Sequence, residues 1–296
     1  MFYDVIIIGG SYAGLSAGLP LARARRRVLV IDAGLRRNRF AATSHGFLTQ
    51  DGASPDDIAA EGRAQLMDYE TVDWLYAEAL RAERDGEGFC VTDGRGNQHR
   101  ARLLILANGV VDELPALPGL AERWGKQVFH CPYCHGYELN QGRIGVLATS
   151  ALSMHQALML PDWGRTTLLL NDVFEPSAEE LAQLDARGVA LERTQVLRLK
   201  EGEPMNVELA DGRQLSFDGL FLAPRMRVSA LVGQLGCAME EGPLGPFIKT
   251  DFTKATSVPG VFACGDAARA AGSVPLAVGD GAMAGAGAHR ALMFGL

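Results

Sequence analysis

Short apolar runs closed by glycine punctuate the chain. DVIIIGG at residues 4–10 is a buried-strand pattern, and AGLSAGLPLARARR after it has helical spacing and a basic end. RRVLVIDAG at 26–34 is a second strand. Strand, helix and strand in that order predict the opening of a doubly wound parallel sheet. SPDDIAAEGRAQLMDY has the serine and acids of a helix start, and FCVTDGRGNQHRARLLILANG reads as a hairpin returning to a buried strand. VVDELPALPGL, proline-rich and aperiodic, reads as a connection between domains.

A second α/β unit follows. GRIGVLA is a strand, ALSMHQALMLPDW a helix and RTTLLLN another strand, and PSAEELAQLDARG is a helix with an acidic start. VALERTQVLRLK and NVELADGRQLSFDGLFLAP add strands around a DG turn. The tail, VPGVFACGDAA and a glycine- and alanine-rich helix, returns to the first pattern. The expected fold is therefore α/β with two Rossmann-like domains. The first is split, residues 1–112 and 239–296, around an inserted one at 113–238.

Composition narrows the function classes. A net charge of -7 argues against a nucleic-acid surface, and no apolar run approaches the ~18 residues that span a bilayer. The amino terminus runs directly into glycines and reads as a strand, not a signal peptide. Of five cysteines, Cys90, Cys237 and Cys264 stand alone in apolar surroundings, which points to a reducing cytoplasm.

Gly9, Gly10, Ser11, Ala13 and Gly14 occupy the turn from first strand to first helix. A dinucleotide pyrophosphate rests on helix-start amides at such a turn, where side chains would block its approach. Asp32 closes the second strand, where a carboxylate holds a ribose hydroxyl. The turn does not distinguish FAD from NAD.

HCPYCHGYE at 130–138 brings Cys131 and Cys134 to the start of a helix, the spacing of a redox dithiol. Pro132 suits the first helical position. The alternative is a metal site completed by His130 and His135. No second C-x-x-C accompanies the pair, so no metal is expected.

Taken together, Gly9–Gly14, Asp32, LANG at 106–109, CPYC and ACGD at 263–266 resemble the low-molecular-weight thioredoxin reductase family of flavoproteins. The resemblance extends over nearly the whole chain. It implies FAD as cofactor, with Gly265 and Asp266 at the ribityl and phosphate part, Asn108 and Gly109 on the neighbouring turn, and Pro275, Leu276 and Ala277 beside the isoalloxazine. It also implies that Cys134 lies against the flavin, that Cys131 meets the substrate sulfur, and that the protein is a homodimer. The family carries an aspartate after the second cysteine; here His135 stands there, and an imidazole takes a thiol proton near neutral pH.

One departure steers the functional expectation. The turn after GRIGVLA, residues 148–153, contains no glycine, and no Arg or Lys follows Asn171 until Arg187, so the inserted domain is expected to have lost its nicotinamide site. That predicts a branch similar to the dithiol oxidases of gliotoxin- and holomycin-type products, which oxidise a dithiol and pass electrons to oxygen. The alternative is a reductase of thioredoxin-like proteins fed by a ferredoxin-like donor. A non-catalytic flavin-binding scaffold is a third reading, disfavoured by the intact CPYC pair.

Overall fold

A computed structural model describes residues 2–295. Its first strand, Phe2–Ile8, lies at the centre of a seven-stranded sheet, parallel to Val28–Asp32 on one side and to Gln98–Leu106 on the other. Both faces of this strand are covered, which is why it reads as a continuous apolar run and not an alternating one. Ile6 and Ile7 are fully buried, each contributing roughly 1.5–3 kcal/mol of transfer free energy.

The strand Gln98–Leu106 serves two partners. Its first half pairs antiparallel with Gly88–Asp93, the predicted hairpin, and its second half pairs parallel with Val261–Ala263 from the far end of the chain. The carboxy-terminal segment thus completes the sheet that the amino terminus began. The final helix, Val274–Phe294, packs along the first, Tyr12–Arg23. Small residues permit this closeness: a Cβ on Gly281 or Gly285 would overlap the carbonyl of Ala13 or Ala17.

The inserted unit is a parallel sheet of Ala190–Glu192, Gly164–Leu169, Gln141–Leu147, Gly219–Phe221 and Val128–Phe129, in that spatial order. A three-stranded antiparallel sheet, Val196–Lys200, Met205–Leu209 and Gln214–Phe217, flanks it. The helix Ala178–Ala186 starts in a reciprocal cap between Ser177 and Glu180, as its sequence indicates. Two Rossmann-like α/β units, one split and one inserted, are therefore present.

The connection behaves differently from its aperiodic sequence. Val110–Glu113 is a strand, paired antiparallel with Arg225–Val228. Chain entering and chain leaving the inserted unit thus form one two-stranded ribbon. Its signal was hidden because the pairing partner lies more than a hundred residues away. Among the described residues no helix is long and apolar enough to cross a membrane.

Candidate functional site

One cleft runs from the first glycine turn to the cysteine pair, enclosing about 1390 Å³ with its solvent-open mouth. At one end, Gly9 has φ +104°, and a Cβ there would overlap the carbonyl of Ala107 on the adjacent turn. Gly10 and Asp32 are bonded directly, backbone nitrogen to Oδ1 at 3.0 Å. Gly9, Gly10, Ser11, Ala13, Asp32, Asn108, Gly109, Gly265, Asp266 and Ala277 all line the cleft. Gly14 does not; its Cβ would overlap the carbonyl oxygen of Gly9, so its smallness lets helix and turn approach each other. Pro275 and Leu276 are exposed and lie outside the lining, although their neighbours Val274 and Ala277 are in it.

The fit to a dinucleotide is specific. The cradle of Gly9 and Gly10 is kept free of side chains beside a helix start. The buried Oδ1 of Asn108, on the cleft wall, has no protein donor. A flavin dinucleotide supplies phosphates for the amides and hydroxyls for the carboxylates and Asn108.

Arg37 is a site residue that sequence reasoning missed. It donates from Nε and Nη2 to Asp112, at 2.9 and 2.5 Å, and from Nη1 to Asp266 at 2.8 Å. Burial works against its charge, but Asp112 and then Asp266 outweigh that and hold the guanidinium ionised. The pair of arginines after the second strand was a visible signal; Asp112, in the supposed connection, offered none.

At the other end stands the redox loop. Cys131 immediately precedes the short helix Pro132–His135, and a disulfide joins it to Cys134 with Cα atoms 5.3 Å apart. Cys134 lines the cleft and Cys131 is not part of the lining. Trp163 packs so closely on Gly136 that a Cβ there would lie 2.6 Å from its ring, and Tyr133 meets Trp163 edge-on at 5.4 Å. Gln156 donates to the carbonyl of His130 at 2.8 Å, fastening the entry to the loop.

The two histidines differ. Burial first, and then the Arg37 charge, lowers His130 to a pKa of about 4, so it is neutral at physiological pH. His135 stacks on Phe129, centroids 4.4 Å apart. Burial lowers its pKa too, with Glu138 opposing the shift and His45 adding to it. His135 directly follows Cys134 in the chain and lines the cleft with it, which makes it the histidine beside the disulfide that can serve as a proton carrier.

A second cluster supports the cleft from behind. Asp280, 1% exposed on the final helix, binds Lys254 at 2.7 Å and Arg269 at 2.6 Å. Burial alone would raise its pKa, but Arg269 and Lys254 overcome this and keep it low.

Comparison with known proteins places this geometry. The model of the family "Pyridine nucleotide-disulphide oxidoreductase" matches residues 3–281. Thioredoxin reductase tcpT of Claviceps purpurea is 34% identical over 305 residues, covering 98% of this chain and 94% of that protein. The crystal structure of an oxidoreductase from Agrobacterium tumefaciens superposes with a TM-score of 0.96 at 55% identity, covering 99% of both chains. The crystal structure of HlmI superposes with a TM-score of 0.92 at 37% identity, covering 98% of this chain and 92% of that one.

These matches correct the expectation of a lost nicotinamide partner. The family model is that of a pyridine nucleotide enzyme and spans the inserted unit, and relatives matched over nearly the whole chain carry the name thioredoxin reductase. The dithiol-oxidase branch, oxygen as acceptor and a ferredoxin-like donor fall with that expectation. Its flaw was to judge a binding turn by glycine count. The strand Gln141–Leu147, the turn and the helix Ser153–Met159 keep the order of the first nucleotide site. Thr149 turns its hydroxyl away to the carbonyl of Ala223 at 2.7 Å, and Ala151 and Leu152 are exposed. At the neighbouring strand's end Arg193 is bonded to Glu175 and lines a cavity with Asp172 and Phe174.

Proposed function

Because the chain belongs to the pyridine nucleotide-disulphide oxidoreductase family, we propose that it takes electrons from NADPH and reduces the disulfide of a thioredoxin-like protein. The chain is a FAD-dependent thiol–disulfide oxidoreductase of the thioredoxin reductase type. FAD, when bound, supplies two-electron transfer between pyridine nucleotide and disulfide. The observation that carries the reading is the asymmetry of the pair: Cys134 lines the dinucleotide cleft and Cys131 does not.

Gly9, Gly10, Ser11, Ala13, Asp32, Asn108, Gly109, Gly265 and Asp266 would hold FAD, with Arg37 fixing Asp266. In the outward half-reaction, the Cys131 thiolate attacks one sulfur of the partner disulfide, breaking that bond and releasing a partner thiolate. Cys134 then attacks Cys131, restoring the internal disulfide and releasing the second thiolate. Two protons from the spent dithiol end on the two partner thiols, one of them carried by His135.

The domain division at 1–112, 113–238 and 239–296, a homodimeric assembly and a cytoplasmic location belong to the same reading. The three free, buried cysteines support a reducing compartment. NADPH-driven reduction of thioredoxin tests the function. Cys131→Ser and Cys134→Ser should each fall below about 1% of the wild-type rate. Turnover surviving either change would remove the assigned pair.

A further inference from the structure

Beside Cys134, the cleft wall includes Thr43, Ser44 and His45, the start of a segment outside every nucleotide motif, residues 43–53, that leads into the helix Pro55–Met67. A bridge between Ser44 and Ala53 and a bond from the Gly46 nitrogen to Asp51 Oδ1 at 2.7 Å fold it into a compact turn. The turn delivers His45 to the wall that also contains Cys134 and His135. His45 Nε2 lies 3.4 Å from Glu138 Oε1 and 3.2 Å from the Thr43 hydroxyl, and Nδ1 lies 3.6 Å from Asp51 Oδ1. Glu138 follows His135 by three residues, on the helical turn Tyr137–Leu139. An imidazole from the split unit and a carboxylate from the redox loop therefore meet next to the histidine that adjoins the disulfide.

The surrounding charges separate the roles. Glu138 and His45 act on His135 in opposite senses, and its remaining face is covered by the uncharged ring of Phe129. Asp51 faces His45 from within its own turn. His130 answers to a different pair, Arg37 and Asp112. We propose that His45 is a positioning residue for thiol–disulfide exchange: by meeting Glu138 it fixes the turn that follows His135 and sets the charge that imidazole faces as it gives or takes a proton at the Cys131–Cys134 pair. The inference rests on His135 being the proton carrier. Exchange breaks one S–S bond and forms another, passing two electrons between sulfur pairs and two protons from the thiols consumed to those formed. His135 holds one of those protons between steps.

The test uses the FAD-loaded protein and the variants His45→Gln, Glu138→Gln, Glu138→Asp and His135→Gln. Retained yellow absorbance verifies that each is folded. Two quantities are followed against pH: the histidine Cε1–H resonances by NMR, and the rate at which dithiothreitol opens the disulfide, counted by thiol alkylation and mass spectrometry. Removing His45 leaves the Glu138 charge unopposed, so the His135 midpoint should rise. Removing Glu138 should lower it, and Glu138→Asp should restore it. A merely structural role would not produce shifts of opposite sign. Midpoints that stay fixed, or move together, overturn the inference while a flattened profile in His135→Gln leaves the proton carrier standing. An unchanged profile in His135→Gln overturns the proton carrier and this inference with it.

Discussion

Arg37 and Asp112 form a two-pronged ion pair in which Nε and Nη2 each reach a different carboxylate oxygen, at 2.9 and 2.5 Å. Asp112 lies on the strand Val110–Glu113 of the ribbon that enters and leaves the inserted unit, and the same arginine binds Asp266 on the dinucleotide cleft. One guanidinium therefore ties the cofactor end of the cleft to the ribbon that positions the redox loop.

Replacing Arg37 with Met would leave two enclosed carboxylates facing each other without their cation. The expected cost is about 2–5 kcal/mol of stability, together with faster release of flavin. Urea unfolding and the fraction of flavin passing an ultrafilter measure both effects. A variant as stable as wild type, with flavin fully retained, would contradict the bridging role.

Asp280 is more deeply enclosed and pairs with two cations, Lys254 and Arg269. Asp280→Ala should cost about 3–5 kcal/mol, because it strands buried positive charge and removes the bonds that fasten the loop after Asp266 to the final helix. Denaturant unfolding at neutral pH checks it. A loss under ~1 kcal/mol would mean that water compensates the cations.

His130 gives a pH signature. Its folded-state pKa of about 4 lies below the unfolded value of 6.5, so between these limits the unfolded chain binds the proton and the folded chain does not. Its contribution is thus fully present above pH 6.5 and is lost as pH falls toward 4, by at most about 3 kcal/mol. His130→Gln should flatten that part of the stability profile. An identical pH dependence in the variant would show that His130 titrates normally.

Gly9→Ala would place a side chain at φ +104° and against the Ala107 carbonyl. The variant should purify colourless or nearly so, because relieving the clash moves the turn that receives the pyrophosphate. Flavin content per chain is the readout, and full occupancy would refute the cradle.

Local relations were legible in the sequence, and distant ones were not. The register of Gly9, Gly14 and Asp32 could be read because strand, turn and helix are consecutive, and CPYC because its spacing is its geometry. Arg37 with Asp112, and His45 with Glu138, join residues that only tertiary folding brings together. The inserted unit was misread for a different reason. The absence of glycine at residues 148–153 does not exclude a site, because the strand–turn–helix order is kept and Thr149 turns aside to Ala223. Pro275 and Leu276 are exposed on the first turn of the final helix, between Val274 and Ala277, which line the cleft.

The central claim is that electrons enter from NADPH and leave through Cys134 and Cys131. Anaerobic titration of the yellow protein with NADPH, following flavin colour and newly titratable thiols, tests it most directly. The account predicts bleaching of the flavin and the appearance of two protein thiols; in Cys134→Ser the flavin should still bleach and no new thiols should appear. A flavin that stays yellow under excess NADPH, yet bleaches with dithionite, would contradict it.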